Sequence, residues 1–268
     1  MRRSLALAAS VVLGATMISA PVAAPVATAM VHAPRIGLPP NGTGNGHGHG
    51  GGGGGGGGSG FGWASSNWSG YAVTGATYTA ITGQWTVPTV QATSGNTYSA
   101  SWIGIDGFSN SSLIQTGTGQ DYTSGRASYY AWWEILPAPE TQIAMQVAPG
   151  DHMSASITES TGGVWTIQDV TQSESFSTQQ SYRGPGTSAE WIEEAPTIGG
   201  RIATLAHYGS TTFDPGTVNG GQDPGLEASD GGVMIQRRAQ VSTPSLPDND
   251  TDGFAIQYGS SQPAPPKS

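Results

Sequence analysis

From Phe61 to Tyr258 the chain is a succession of short runs in which apolar and polar residues alternate. A side-chain period of two belongs to a half-buried strand. The runs are Thr77–Val87, Thr97–Ile105, Leu113–Thr118, Ala127–Ile135, Gln142–Val147, His152–Glu159, Val164–Val170, Glu174–Tyr182, Ala189–Glu194, Ala203–Gly209, Gly232–Arg237 and Phe254–Tyr258. Thr, Val, Tyr and Trp dominate them, and Gly, Pro, Ser and Asp separate them. No amphipathic helix and no repeat stand out in this region. Strands spaced about 8–12 residues apart with turn signals between them predict an all-β sandwich or barrel. Roughly 200 residues suit one such domain.

The chain before this region has a different character. Met1-Arg-Arg-Ser4 is basic, and Leu5–Ile18 is apolar but shorter than the roughly 20 residues that span a bilayer. Ala27-Thr-Ala29 offers a small-x-small cleavage site, so residues 1–29 read as a secretory signal peptide and the protein as secreted and extracellular. Residues 30–60 read as a disordered Gly/His-rich linker or a short pro-segment, because glycine runs almost unbroken to Gly58. His47 and His49 have no carboxylate or Cys beside them and read as linker, not as a metal site. The domain is placed at 61–262, with a Pro-rich tail at 263–268.

The formal net charge is −9, and every acidic residue lies between Asp106 and Asp252. Nucleic acid and anionic membranes are therefore poor partners. Sparse carboxylates and ion pairs predict that acid removes little stability. With no cysteine, thiol chemistry and Cys-ligated metals are excluded. A single core of this size can stand without disulfides.

Candidate chemistry sits on three strands. Ser101–Ile105 and Ser112–Thr118 form a hairpin around the polar turn Asp106–Ser111. Trp102, Gly104 and Asp106 share one face, and Leu113, Gln115 and Gly117 share another. Gly leaves room for a ligand to approach. On Ala127–Leu136, Tyr130, Trp132 and Glu134 share a face that suits a binding floor. On Ser188–Pro196, Glu190, Ile192 and Glu194 lie opposite Ala189, Trp191 and Glu193. No Gly-x-Ser-x-Gly elbow, Asp-Thr-Gly or Asp-Ser-Gly pair, His-Glu-x-x-His or phosphate loop is present, and the domain holds only His152 and His207. Carboxylates, a glutamine and aromatics remain. A glycosidase using Glu134 and Glu194, or a sugar-binding module with Trp102 and Trp132 as platform, stays open on these residues alone.

Six pieces in order narrow the choice: Ser66-Asn-Trp-Ser-Gly70, Gly83-Gln-Trp-Thr-Val-Pro88, Ala100-Ser-Trp-Ile-Gly-Ile-Asp-Gly107, Leu113-Ile-Gln-Thr-Gly117, Tyr130-Ala-Trp-Trp-Glu134 and Ala189-Glu-Trp-Ile-Glu-Glu194. In these the chain resembles the glutamic peptidases, the eqolisins, which are acid endopeptidases. The resemblance implies a concanavalin-like sandwich of two packed antiparallel sheets with the cleft on the concave face. It implies a catalytic pair at Gln115 and Glu194, with Trp102, Asp106 and Glu134 supporting the cleft; strand parity adds Trp132 and Glu190 as candidate cleft residues, since they share faces with Glu134 and Glu194. It also implies polypeptide substrates. A monomer is expected, and water attack with a carboxylate base and an amide donor requires no metal or organic cofactor. Gln115 and Glu194 are expected on neighbouring strands of one open cleft. Glu193 stands where the family more often has an aliphatic residue, and Tyr130 replaces an Asp of some members.

Overall fold

The protein, seen in a computed structural model, is described at residues 30–38 and 60–268. The expected signal peptide and the Gly46–Gly58 run lie outside the described residues. The strands, in chain order, are β1 (Met30–Val31), β2 (Gly37–Leu38), β3 (Trp63–Ser65), β4 (Trp68–Thr74), β5 (Ala80–Thr86), β6 (Ala100–Ile105) and β7 (Ile114–Thr123). There follow β8 (Arg126–Ile135), β9 (Thr141–Ile143), β10 (His152–Thr161), β11 (Val164–Val170), β12 (Ser175–Ser181) and β13 (Ser188–Glu194). The last are β14 (Thr197–Ile198), β15 (Arg201–Ile202), β16 (Ser210–Val218), β17 (Gly231–Gln236), β18 (Ala239–Pro244) and β19 (Phe254–Tyr258). One 3-10 turn, Ala228–Asp230, is the helical element among the described residues.

Hydrogen bonding links the main strands in the order β12-β11-β10-β5-β16-β19-β18-β17-β4-β13-β6-β7-β8-β9. This long sheet folds back on itself. β10 and β5 stack against β6 and β7, giving the expected sandwich of antiparallel layers. Between the layers lie Ile81, Trp85, Ile157 and Ile167 from one side and Ile103, Ile105, Ile114 and Trp191 from the other. Two buried indole N–H groups in this layer are paired across it. Trp85 Nε1 donates to Thr118 Oγ1 at 3.0 Å, and Trp191 Nε1 donates to the Thr82 carbonyl at 2.8 Å. Gly83 and Gly216 admit the Trp191 indole. A Cβ on Gly83 would lie 2.7 Å from Ile103 Cγ2, and one on Gly216 would lie 2.7 Å from Trp191 Nε1.

Three differences from the sequence reading have physical causes. Ala203–Gly209 is not a strand, although Leu205, Ala206 and Tyr208 are buried as its alternation suggested. It touches the sheet at a lone bridge, Tyr98 with Leu205. The strand lies next door, in Ser210–Val218, where Pro215 and Gly216 obscure it. The register against β5 shifts between Phe213 and Gly216, a bulge that accommodates the proline. Trp68–Thr74 was also missed. All of it but Thr74 is buried, so no polar face marks it.

Met30–Leu38, placed by the sequence reading in the linker or pro-segment, packs against the domain. β1 pairs with β14, and β2 pairs with β3.

The interlayer core sets an expected cost for truncation. Trp85→Ala removes a nearly buried indole and its bond to Thr118. Urea unfolding should show a loss of about 3–5 kcal/mol. A loss below about 1 kcal/mol would mean the layers do not close on this residue.

Candidate active site

The site is built by strand register. Residues directly opposite each other in neighbouring strands point to the same side of the sheet. Three rows therefore cross β13, β6, β7 and β8 on the side facing away from the core. The first is Glu190, Gly104, Gln115 and Glu134; the second is Ile192, Trp102, Gly117 and Trp132; the third is Glu194, Ala100, Gly119 and Tyr130. Glycines on this floor let aromatic rings lie down on the sheet. A Cβ on Gly104 would lie 2.8 Å from Trp102 Cζ3, and one on Gly119 would overlap the Tyr130 ring. Gln115 and Glu194 share this face, but not on neighbouring strands as expected. β6 runs between β13 and β7, and Trp102 stands on it. Trp102 Nε1 donates to Glu194 Oε2 at 2.9 Å. Gln115 Nε2 donates to Glu134 Oε2 at 2.6 Å.

The cleft is filled by the chain itself. His32 lies flat on Trp132, with ring centroids 3.6 Å apart and planes 4° from parallel. Its Nδ1 is 3.1 Å from Glu194 Oε2 and its Nε2 is 3.0 Å from Glu140 Oε2. Its backbone N–H donates to Glu134 Oε2 at 3.0 Å, and its carbonyl accepts from Gln115 Nε2 at 2.9 Å. Neither His32 nor Glu140 was found in the sequence. His32 sits in a stretch without strand pattern, and Glu140 follows a strand end among prolines. The one available signal was a His just ahead of a glycine-rich run.

Other predicted residues separate in role. Asp106 ends β6 with φ 73, in the left-handed region, so its side chain does not continue the face of Trp102 and Gly104. It accepts from Tyr182 Oη at 2.6 Å and from the backbone N–H groups of Gly186 and Thr187, both at 2.9 Å. Asp106 thus ties the 182–187 loop to the end of the hairpin. Glu190 is fully buried on the cleft side, and neither of its carboxylate oxygens has a partner. Glu193 points to the core side, where Ser101 Oγ donates to its Oε2 at 2.6 Å.

Burial governs the protonation of these acids. Desolvation pushes the Glu134 carboxyl up to about 8, against the charge of His32. The Glu193 carboxyl rises to about 8, against hydrogen bonds from Ser101. Glu190 is driven well above the usual carboxylate range by desolvation. Glu194 is raised by burial, which outweighs the His32 contact and the Trp102 bond that favour its anion. For His32, burial favours the neutral ring. The hydrogen bonds to Glu140 and Glu194 and the charges of Glu194 and Glu134 prevail, and its pKa rises to about 10.

Away from the cleft, Asp214, Asp248 and Asp252 bring carboxylate oxygens within 4.8 Å of one another, the one such potential cation cluster among the described residues. Burial and neighbouring aspartates raise Asp252 to about 6. The cleft groups need no metal for the roles considered below.

These shifts have a definite sign for stability. Asp121 and Asp169 also rise to about 7, chiefly by desolvation. Unfolded carboxylates titrate at about 4. Between about pH 4 and 8 the folded protein holds protons that the unfolded chain releases, so stability falls as pH rises through that window. His32 acts in the same direction between about 6.5 and 10. The expectation of little acid loss thus becomes one of acid gain. Scanning calorimetry should give a higher Tm at pH 4 than at pH 8; a Tm that climbs toward pH 8 would refute the burial argument.

Comparison with known proteins agrees with the geometry. Residues 66–258 match the Peptidase A4 family. The chain is 32% identical over 208 residues to aspergillopepsin-2 of Aspergillus niger, covering 67% of this chain and 73% of that protein. It is 31% identical over 137 residues to scytalidopepsin B of Scytalidium lignicola, covering 48% of this chain and 51% of that protein. In fold it is similar to scytalido-glutamic peptidase, solved with a transition-state analog inhibitor. The TM-score is 0.62 at 20% identity, covering 72% of this chain and 98% of that one. The chain therefore belongs to the Peptidase A4 family, the glutamic peptidases or eqolisins, and is an acid peptidase that hydrolyses peptide bonds.

Proposed function

We propose that this peptidase is exported and cleaves polypeptides in acid, with Glu194 as general base and Gln115 as oxyanion donor. The observation that carries the reading is a peptide group already in the cleft. Gln115 Nε2 donates to the carbonyl of His32 at 2.9 Å, while Glu194 touches the side chain of the same residue. One group thus addresses a peptide carbonyl oxygen, and the other waits beside it.

The chemistry follows from these positions. Attack of water on the carbonyl needs a proton acceptor. Glu194 takes that proton and returns it to the leaving amine, a role worth roughly 10²–10⁴ in rate. Its burial in the filled cleft raises its pKa. With the segment gone, that burial lessens, and the anion becomes available nearer the carboxylate reference of about 4.3. The Trp102 N–H holds Oε2, and in this reading the attacking water meets Glu194 at its other oxygen. Negative charge develops on the carbonyl oxygen, where the Gln115 amide donates. An amide NH₂ does not titrate, so the donor persists throughout the acid range. Glu134 fixes this amide by accepting from the same nitrogen, so it is a positioning residue. The paired-carboxylate glycosidase gives Gln115 no task, and the peptidase family leaves that reading without support.

Glu194→Gln should keep the fold and lose about 10²–10⁴ in kcat on an unfolded protein substrate. Gln115→Ala should lose about 10²–10³, chiefly in kcat, because the oxyanion exists only in the transition state. Glu193→Gln, on the core side, should change kcat by less than about tenfold. An inactive Glu193→Gln beside an active Glu194→Gln would overturn the assignment. In the same assay, pepstatin, chelators and serine or thiol reagents should leave the wild-type rate intact. Strong inhibition by a chelator would reveal a metal in the chemistry.

A further inference from the structure

We propose that Asp214 of β16 and Asp248 and Asp252 of the loop between β18 and β19 form a calcium site, apart from the cleft, that fastens this loop to the sheet. The peptidase chemistry makes no use of it.

A buried carboxylate oxygen with nothing to bind points to a ligand here. Asp248 is 7% exposed. Its Oδ1 accepts from the Gly253 N–H at 3.3 Å, and its Oδ2 has no partner among the described residues. Asp252 Oδ1 is a second buried oxygen without one. Gly253 shows where Asp248 Oδ2 is aimed. A Cβ on this glycine would lie 2.6 Å from Asp248 Oδ2 and 2.8 Å from Asp214 Cγ, so the two carboxyl groups converge on one point. Unmatched buried polar groups are costly, and like charges brought together add to that cost. No basic side chain answers them, since the ion pairs among the described residues are those of His32.

The donor set fits a hard divalent cation. Each side chain offers carboxylate oxygen, which suits Ca²⁺ or Mg²⁺ and not the softer metals. Ca²⁺ holds oxygens at about 2.4 Å, so two of them on one ion lie at most about 4.8 Å apart. All three aspartates offer oxygens within 4.8 Å of one another. The sequence spacing agrees. Asp248-Asn-Asp-Thr-Asp-Gly253 has the Asp-x-Asp-x-Asp-Gly opening of helix-flanked calcium loops. Here strands flank it, and Gly259 stands where such a loop carries its closing Glu. Asp214, brought in from β16, supplies the missing carboxylate. Asp250, whose charge acts on all three aspartates, and water fill the remaining positions of the roughly six to eight that Ca²⁺ takes. Mg²⁺ demands near-ideal octahedral geometry and keeps its waters, so this irregular set favours Ca²⁺. The loop it fixes is one the sheet relies on. The Asp252 carbonyl accepts from the Gly216 N–H at 2.8 Å, beside the bulge of β16, and the Thr251 carbonyl accepts from the Leu226 N–H at 2.9 Å.

The test uses the full-length protein, stripped with EDTA and desalted at about pH 7.5, where carboxylates at the surface are ionised. In titration calorimetry CaCl₂ should bind at one site per chain, more tightly than about 1 mM. Saturating calcium should raise Tm by about 5 °C. MgCl₂ should bind at least about tenfold more weakly, and NaCl at matched ionic strength should leave Tm where it was. Asp252→Asn and Asp214→Asn should each weaken calcium binding at least about tenfold. Each variant should match or exceed the wild-type Tm in EDTA, because a like charge is gone, and fall below it in calcium. A cluster that only packs the loop gives no such crossing. If one variant does not fold, the other decides. Absence of binding heat and of a Tm rise in calcium, an equal response to MgCl₂ or NaCl, or undiminished calcium binding by the folded variants would overturn the inference.

Discussion

Two adjacent glutamates on one strand are sent to opposite sides of a sheet, and the rest of the site depends on that separation. Glu193 and Glu194 are both fully buried. The period of two places Glu193 among Ser101 and the interlayer core, and Glu194 beside Trp102 on the cleft. A slip of one residue in β13 would exchange them. The register is pinned from both sides, since β13 pairs with β4 and with β6 over its length. Trp191, on the same strand, reaches across to Thr82 and is received by Gly83 and Gly216. Core packing therefore decides which carboxylate can meet a substrate.

The cleft concentrates acids that water would otherwise keep charged. Glu134, Glu190 and Glu194 lie on one face, all raised by burial. Close carboxylates in a dry site cannot all be ionised. The protein manages this with protons, with donors such as the Trp102 indole and Gln115 amide, and with one cationic ring from its own N-terminal segment. A substrate in place of that ring would leave the carboxylates to be satisfied by water, substrate or protons. Protonation of the buried acids stabilises the fold, whereas the proposed base, Glu194, works only as its anion, so the two demands on the cleft run in opposite directions.

Much of this was legible because strands write their faces into the sequence. The alternation of Ala189–Glu194 and of Tyr130–Glu134 placed Glu194, Trp132 and Glu134 on their faces without coordinates. Asp106 was misplaced on the cleft face because a left-handed residue ends the alternation, and nothing in Asp-Gly-Phe says which residue takes that conformation. The separation of Gln115 from Glu194 by β6 is a matter of sheet order, which local pattern does not encode. β16 was hidden by Pro215, whose bulge exists only against β5. His32 was the largest omission. Its partners Glu140 and Glu194 are distant in sequence, and a lone His in an irregular stretch carries no period.

The central claim is that Glu194 activates water and does not itself attack the carbonyl. Single turnovers in H₂¹⁸O, followed by mass spectrometry of the enzyme and of the product, test it most directly. The account predicts one ¹⁸O in each new product carboxylate and none in the peptide that contains Glu194. Label in the Glu194 carboxylate would show a covalent acyl-enzyme at that residue and would contradict it.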